Sequence, residues 1–519
     1  MPGGGLYALV AYGAQNQLLS GNPQFTYFYK IYKKYSHFSE ESVTFTMDGP
    51  QELFYDQPIQ VRFKIQRVAD LVRDMYFTFD LPDIYCKWID LQTTTYRQYQ
   101  YNFNWVRFIG CSIIQSVGFF IGGQKIQEFD GAYMVARAQA DYDTDTYAKW
   151  QEMVGDLPEL TDPAIGVYAG GSAASGYPLV FPDPAGQNVN RPSIFGREIQ
   201  VPLPFWFSES TFEALPLVSL QYHECEVQIT LRPINQLYQV LDPSGNTVAP
   251  GVRVLTFPVD QPQNPQYVVN PDASGEIISN FLTDVGVAQP LIPTWPLNPR
   301  LQLTYVYVTD DERKTFAETP LQYIVRQVTT YQFTDLAQRQ IVELYTHNPI
   351  TRLILLPRRT DAIPFRNDYA NLTNWLEMNR PPYLPPATPY PPWVVQNEAT
   401  GRLVFPAGQQ DILQTLRILG DGNELQEEKP IAYFYNVVPW KYLRGHPTKN
   451  LIVYSFALNS PTDQPDGSVN SSRIRLFQVD LNPYPLLPTS NYLYNVTIYV
   501  ESFNWVNISA GMGGLKYAL

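Results

Sequence analysis

From Cys225 to Arg232 apolar and polar residues alternate strictly. Cys225, Val227, Ile229 and Leu231 fall on one side, with Glu224, Glu226, Gln228, Thr230 and Arg232 on the other. A period of two marks a half-buried β-strand. Residues 74–80 repeat the pattern, with Met75, Phe77 and Phe79 opposing Tyr76, Thr78 and Asp80, and Pro82 follows as a breaker. Residues 105–129 read as strand, turn, strand around Gly122 and Gly123, because primed hairpin turns need positive φ. Further strands are expected at 301–308, 341–345, 351–356, 451–458, 473–479 and 494–506. Helical spacing is confined to 131–154 and to DERKTFAETPLQYIVRQV, residues 311–328.

Between these runs lie Pro-, Gly-, Asn- and Gln-rich stretches at 156–197 and at 233–295, and a polyproline-like tract at 380–393. That tract sits between strands, so it reads as a stiff loop rather than a ligand for a proline-binding module. The chain therefore divides into a glycine-rich arm (1–24), a first β-unit (25–240), a connector with an insertion (241–296) and a second β-unit (297–519). The arm carries Leu6, Leu9, Val10, Leu18 and Leu19 without a strand or core of its own, and is expected to order on contact with a partner or neighbouring subunit.

Composition supports this outline. The 519 residues include 37 Tyr and 45 Pro, and only 16% are charged, which suits short strands joined by rigid loops. A net charge of -13 argues against a surface that neutralises phosphates. The basic run Lys30, Lys33 and Lys34 reads as a solvated face, with a local anionic-lipid or nucleic-acid contact as the sharper alternative. Cys86, Cys111 and Cys225 are odd in number and widely spaced, so neither a disulfide framework nor a zinc knuckle is expected, and a reducing compartment is. No apolar run approaches the roughly 18 residues of a membrane span, and the first residues lack a signal peptide's basic region. Synthesis in the cytoplasm follows as the expectation.

Candidate chemistry is sparse. His37, His223, His347 and His446 are scattered, and no GxSxG, HExxH or phosphate-loop pattern occurs. His223, Glu224 and Cys225 adjoin, yet alternation turns Glu224 away from the other two. Asp141, Asp143 and Asp145 resemble a calcium loop but lack its glycine and terminal glutamate, so a solvated loop is expected. Glu224, Glu226, Glu312 and Glu501 are available for glycoside chemistry, but nothing in the sequence pairs them. Of four Asn-X-Ser/Thr sequons, Asn495 and Asn507 fall in or beside a strand, leaving Asn371 and Asn470 as possible glycan acceptors. No catalytic residue, metal or cofactor is expected.

A resemblance then adds what composition cannot. Residues 9–38, LVAYGAQNQLLSGNPQFTYFYKIYKKYSHF, resemble the opening of the major capsid proteins of nucleocytoplasmic large DNA viruses, such as those of algal viruses. IGGQKI (121–126), VPLPFWFSESTFEALPLVSLQYHECEV (201–227), YSFALNSPTDQPDGSVNSSRI (454–474) and NWVNISAGMGGLKYAL (504–519) resemble later segments in the same order. Asp466, Trp505 and Val506 depart from the family pattern, and 156–198, 241–296 and 359–430 look longer than in typical members. The resemblance implies an all-β chain of two tandem eight-stranded jelly rolls with short helices and long loop insertions. It further implies a homotrimer forming a pseudo-hexagonal capsomer, which tiles an icosahedral shell with neighbouring capsomers and minor capsid proteins near an internal viral membrane. Direct nucleic-acid contact is not expected. The implied location is the virion capsid, assembled in host cytoplasm. A carbohydrate-binding or carbohydrate-active β-sandwich is the main alternative, and a trimeric receptor-binding fibre a third.

Overall fold

The computed structural model describes residues 3–24, 27, 32, 34–86, 102–163, 177–178, 191–241, 247–250, 252–254, 267–269, 277–284, 290, 292–374, 395–397, 402–404, 411–459, 464–486 and 492–517. Lys30, Lys33, most of the 156–197 loop and the 380–393 proline tract lie outside them.

Eight main strands build the first sandwich: β1 (Phe38–Thr46), β2 (Ile59–Lys64), β3 (Leu71–Leu81), β4 (Ile114–Ile121), β5 (Gln124–Phe129), β6 (Arg197–Pro202), β7 (Cys225–Leu231) and β8 (Arg300–Val308). One sheet runs β1-β8-β3-β6 and the facing sheet β2-β7-β4-β5. The second sandwich uses β9 (Leu321–Leu336), β10 (Gln340–Glu343), β11 (Pro349–Arg359), β12 (Leu413–Gly420), β13 (Asn423–Pro430), β14 (Ile452–Ser455), β15 (Phe477–Pro483) and β16 (Tyr494–Ser509). Its sheets run β9-β16-β11-β14 and β10-β15-β12-β13, the same order moved on by eight strands. Every pairing is antiparallel, and each unit is a jelly roll.

Alternation is what closes each roll. In β7, Cys225, Val227, Ile229 and Leu231 are buried, and Val227 lies between Phe63 of β2 and Phe119 of β4. Burying one such side chain contributes roughly 1.5–3 kcal/mol, so the strand's inward face fixes its register. The β4–β5 turn has φ of +57° at Gly122 and +82° at Gly123. A Cβ on Gly122 would come within 2.7 Å of the His223 ring, so this position needs glycine for space as well as for φ.

Four sequence expectations are corrected. Residues 301–308 do not open the second unit: β8 lies between β1 and β3 at the centre of the first sandwich's sheet. The stretch 241–296 is therefore a long insertion between the seventh and eighth strands of the first roll. Sequence adjacency set the expected boundary at 297, whereas antiparallel pairing across the insertion places that strand. The helix expected over 311–328 stops at Glu318, since Pro320 breaks it and Leu321 starts β9. The strand expected at 473–479 begins only at Phe477, because Ser471–Arg473 forms a 3-10 turn. Asp141 is not solvated: it ends the helix Gly131–Asp141 in a buried position, while Asp143 caps the helix Thr144–Val154 by accepting from the Thr146 N–H. The arm holds two short helices, Gly4–Val10 and Ala14–Ser20, with no buried residue.

Candidate functional site: the seam between the two sandwiches

The helix Gly131–Asp141 leaves β5 and lays one face on the outer side of the β9-β16-β11-β14 sheet. Asp130 caps it, accepting from the Tyr133 N–H at 2.7 Å, and also accepts from the Tyr499 hydroxyl of β16 at 2.8 Å. One turn on, the Tyr133 hydroxyl donates to Glu501 at 2.7 Å. Arg352 of β11 then joins both units: its Nε donates to Glu501 at 2.6 Å and its two terminal nitrogens donate to Asp141. Arg137 pairs with Glu209 at 2.7 Å and with Asp141 at 3.4 Å. Arg326 of β9 lies 3.9–4.0 Å from Asp141, Glu209 and Glu501.

Arg137, Arg326 and Arg352 thus balance Asp141, Glu209 and Glu501 in a nearly dry layer, where Arg352 and Glu501 are each about 1% exposed at the side chain. Burial alone would raise the Asp141 and Glu501 carboxyls, but the arginines outweigh it and hold both below their ordinary values. Burial pushes the Tyr133 and Tyr499 hydroxyls up, so they remain protonated donors. A glycoside-cleaving pair needs one carboxyl raised to act as acid. Glu501, the only one of the four candidate glutamates in this layer, is shifted the other way.

Amide pairs extend the seam. Gln127 of β5 donates to the Arg326 carbonyl at 2.7 Å, and Gln327 of β9 donates back to the Ile126 carbonyl at 2.9 Å. Gln239 donates to the Arg366 carbonyl at 2.6 Å, and Asn367 reaches the Asn235 and Tyr238 carbonyls. At the C-terminal turn, the Tyr222 N–H donates to the Gly511 carbonyl and the His223 ring meets Gly513, with Nδ1 2.9 Å from its carbonyl oxygen.

His223, Glu224 and Cys225 therefore part company. His223 holds the C-terminal turn, Glu224 pairs with Lys64 at the surface at 2.8 Å, and Cys225 is buried with its thiol pushed up to about 12. Glu226 accepts from Gln228, and Glu312 lies in the first turn of an exposed helix. Among the described residues no group of three metal-ligating side chains assembles. Of the two glycan candidates, Asn371 is buried and its oxygen accepts from Thr373, whereas Asn470 is exposed and caps the turn Ser471–Arg473. Sequence reasoning missed Arg352, Arg137, Glu209 and Arg326, and read Asp141 as solvated. One signal was present: Arg352 is the lone charge in the largely apolar run ITRLILL.

Two family models match. Residues 26–265 match the major capsid protein N-terminus, and residues 312–514 match the large eukaryotic DNA virus major capsid protein. The major capsid protein of Paramecium bursaria Chlorella virus 1 is 25% identical, covering 99% of both chains. That of Chrysochromulina ericina virus is 23% identical, covering 99% of this chain and all of the relative. Among solved structures, PBCV-1 VP54 superposes with a TM-score of 0.63 at 19% identity, covering 95% of this chain and 100% of the other. The Faustovirus major capsid protein gives 0.62 at 13%, covering 97% and 96%.

Proposed function

The chain belongs to the major capsid proteins of large eukaryotic DNA viruses, and from that membership we propose that three copies associate into a pseudo-hexagonal capsomer that tiles an icosahedral shell. The observation that carries this reading is the pair of jelly rolls with one strand order, locked together by a charged seam. Three such pairs give six similar walls, and a hexagonal outline survives only if each pair keeps a fixed angle. A dry network of oriented ion pairs supplies that constraint, because any rotation strips charges of their partners. The role inferred for the chain is structural, in keeping with relatives named as major capsid proteins.

The arm supports contacts beyond the trimer. Leu6, Tyr7, Leu9, Val10, Leu18 and Leu19 are exposed on helices too short to persist alone in water. Neighbouring capsomers, minor capsid proteins or an adjoining internal membrane would cover them in the particle, which assembles in host cytoplasm. Asn470 offers a glycan acceptor on the exposed surface. Native mass measurement tests the assembly: a species of three times the 59.3 kDa chain mass is expected, and a monomer at micromolar concentration would contradict it. Removing residues 1–24 is expected to leave that species intact and impair shell formation; normal particles from the shortened chain would overturn the role given to the arm.

A further inference from the structure

Arginines at and near the seam differ in their partners. Arg107, Arg137, Arg326 and Arg352 each have a carboxylate within 4.0 Å. Arg232, just after β7, and Arg358, at the end of β11, have none at ion-pair distance among the described residues. Both line one cavity of about 40 Å³ between the rolls, closed by Phe108, Val135, Leu356 and Tyr369. Arg232 donates to the Ser112 and Ile114 carbonyls and lies over the Tyr369 ring, 4.9 Å from its centre. Arg358 donates one terminal nitrogen to the Tyr369 carbonyl at 2.9 Å. Its Nε and the Tyr369 hydroxyl are buried and make no hydrogen bond.

Two guanidiniums from opposite rolls thus border a space whose lining residues Arg358 and Tyr369 each carry an unused buried donor. Burying such donors costs roughly 1–3 kcal/mol each unless something accepts from them. Burial lowers the Arg358 guanidinium below its ordinary range; Tyr499 and Asp130 oppose that fall, Arg232 adds to it, and Asp368 opposes it. Asp130 itself is turned toward Tyr133 and Tyr499. The missing partner is an acceptor, and the volume exceeds the roughly 10–15 Å³ that one water requires.

We propose that this cavity is a binding site for a small monovalent anion of halide size, held between Arg232 of the first roll and Arg358 of the second. The ion accepts from Arg358 Nε and the Tyr369 hydroxyl and offsets the repulsion of like charges across the seam. It thereby ties the rolls together at a point remote from the Arg352 network.

Crystals of the full chain grown in sodium bromide test this by anomalous scattering. A bromide peak within hydrogen-bonding distance of Arg358 is expected, and it should vanish in Arg358→Met. Absence of a peak, with only water in the cavity, would overturn the site, as would a peak that persists in the variant. Should Arg358→Met fail to fold, the wild-type chain still decides through its thermal midpoint at constant ionic strength. That midpoint is expected to rise with the logarithm of chloride when chloride replaces methanesulfonate. Equal midpoints in the two salts would count against the site.

Discussion

The two sandwiches share one strand order and differ in what lies outside their sheets. In the first, β8 alternates half-buried and buried residues from Arg300 to Tyr305, so the outer face of its sheet is only partly covered. In the second, the central residues of β11 and β16 are buried on both faces. The helix Gly131–Asp141 and strand β5 of the first unit cover the outer side. The second roll therefore borrows its cover from the first. The same residue type takes opposite roles as a result: Glu224 sits in water beside Lys64, while Glu501 sits dry beside Arg352.

That contrast is broken most severely at Glu501. Glu501→Gln leaves Arg352 and Arg326 facing a neutral group, and a loss of about 3–5 kcal/mol is expected in denaturant unfolding. A loss below about 1 kcal/mol, the scale of an exposed pair, would show that the seam is not a structural lock. Ile229→Ala, in the core of the first roll, is expected to cost about 2–5 kcal/mol through the cavity it leaves. Its neighbour on the outer face, Thr230→Ala, should stay within about 0.5 kcal/mol; equal effects would contradict the one-sided burial of β7.

Acid separates the two rolls more gently. Asp141 and Glu501 titrate below their ordinary values when folded. The stability they contribute is complete above the ordinary carboxyl range, near pH 4, and is lost as pH falls through the depressed folded values. Unfolding measured from pH 6 downward should therefore show a loss beginning around pH 4. It should be smaller in the double variant Arg352→Met/Glu501→Leu, and an identical acid profile in the two chains would count against the network. The smallest effect is expected at Glu224→Gln: both Glu224 and Lys64 are exposed, so the unfolding midpoint should not move.

Much of this fold was legible in the sequence because one-sided burial writes itself as alternation. Residues 74–80, the Gly122–Gly123 hairpin and β7 were placed correctly on that ground. Strand β8 was recognised as a strand but assigned to the wrong roll, since its partners β1 and β3 lie more than two hundred residues upstream and nothing local encodes the pairing. The seam was less legible still. Asp141 sits in an acidic run that looks solvated, and only the approach of Arg352 in space makes it a buried ion pair. Family resemblance supplied the double jelly roll, while the ion pairs between the rolls came from side-chain geometry.

The role proposed for the seam is to hold two like rolls at one fixed angle within the proposed capsomer. Electron microscopy of the purified chain, class-averaged down its symmetry axis, tests it most directly. Three-chain particles with six similar walls and a pseudo-hexagonal outline are expected. Single globules, or trimers whose paired rolls take variable angles, would contradict it.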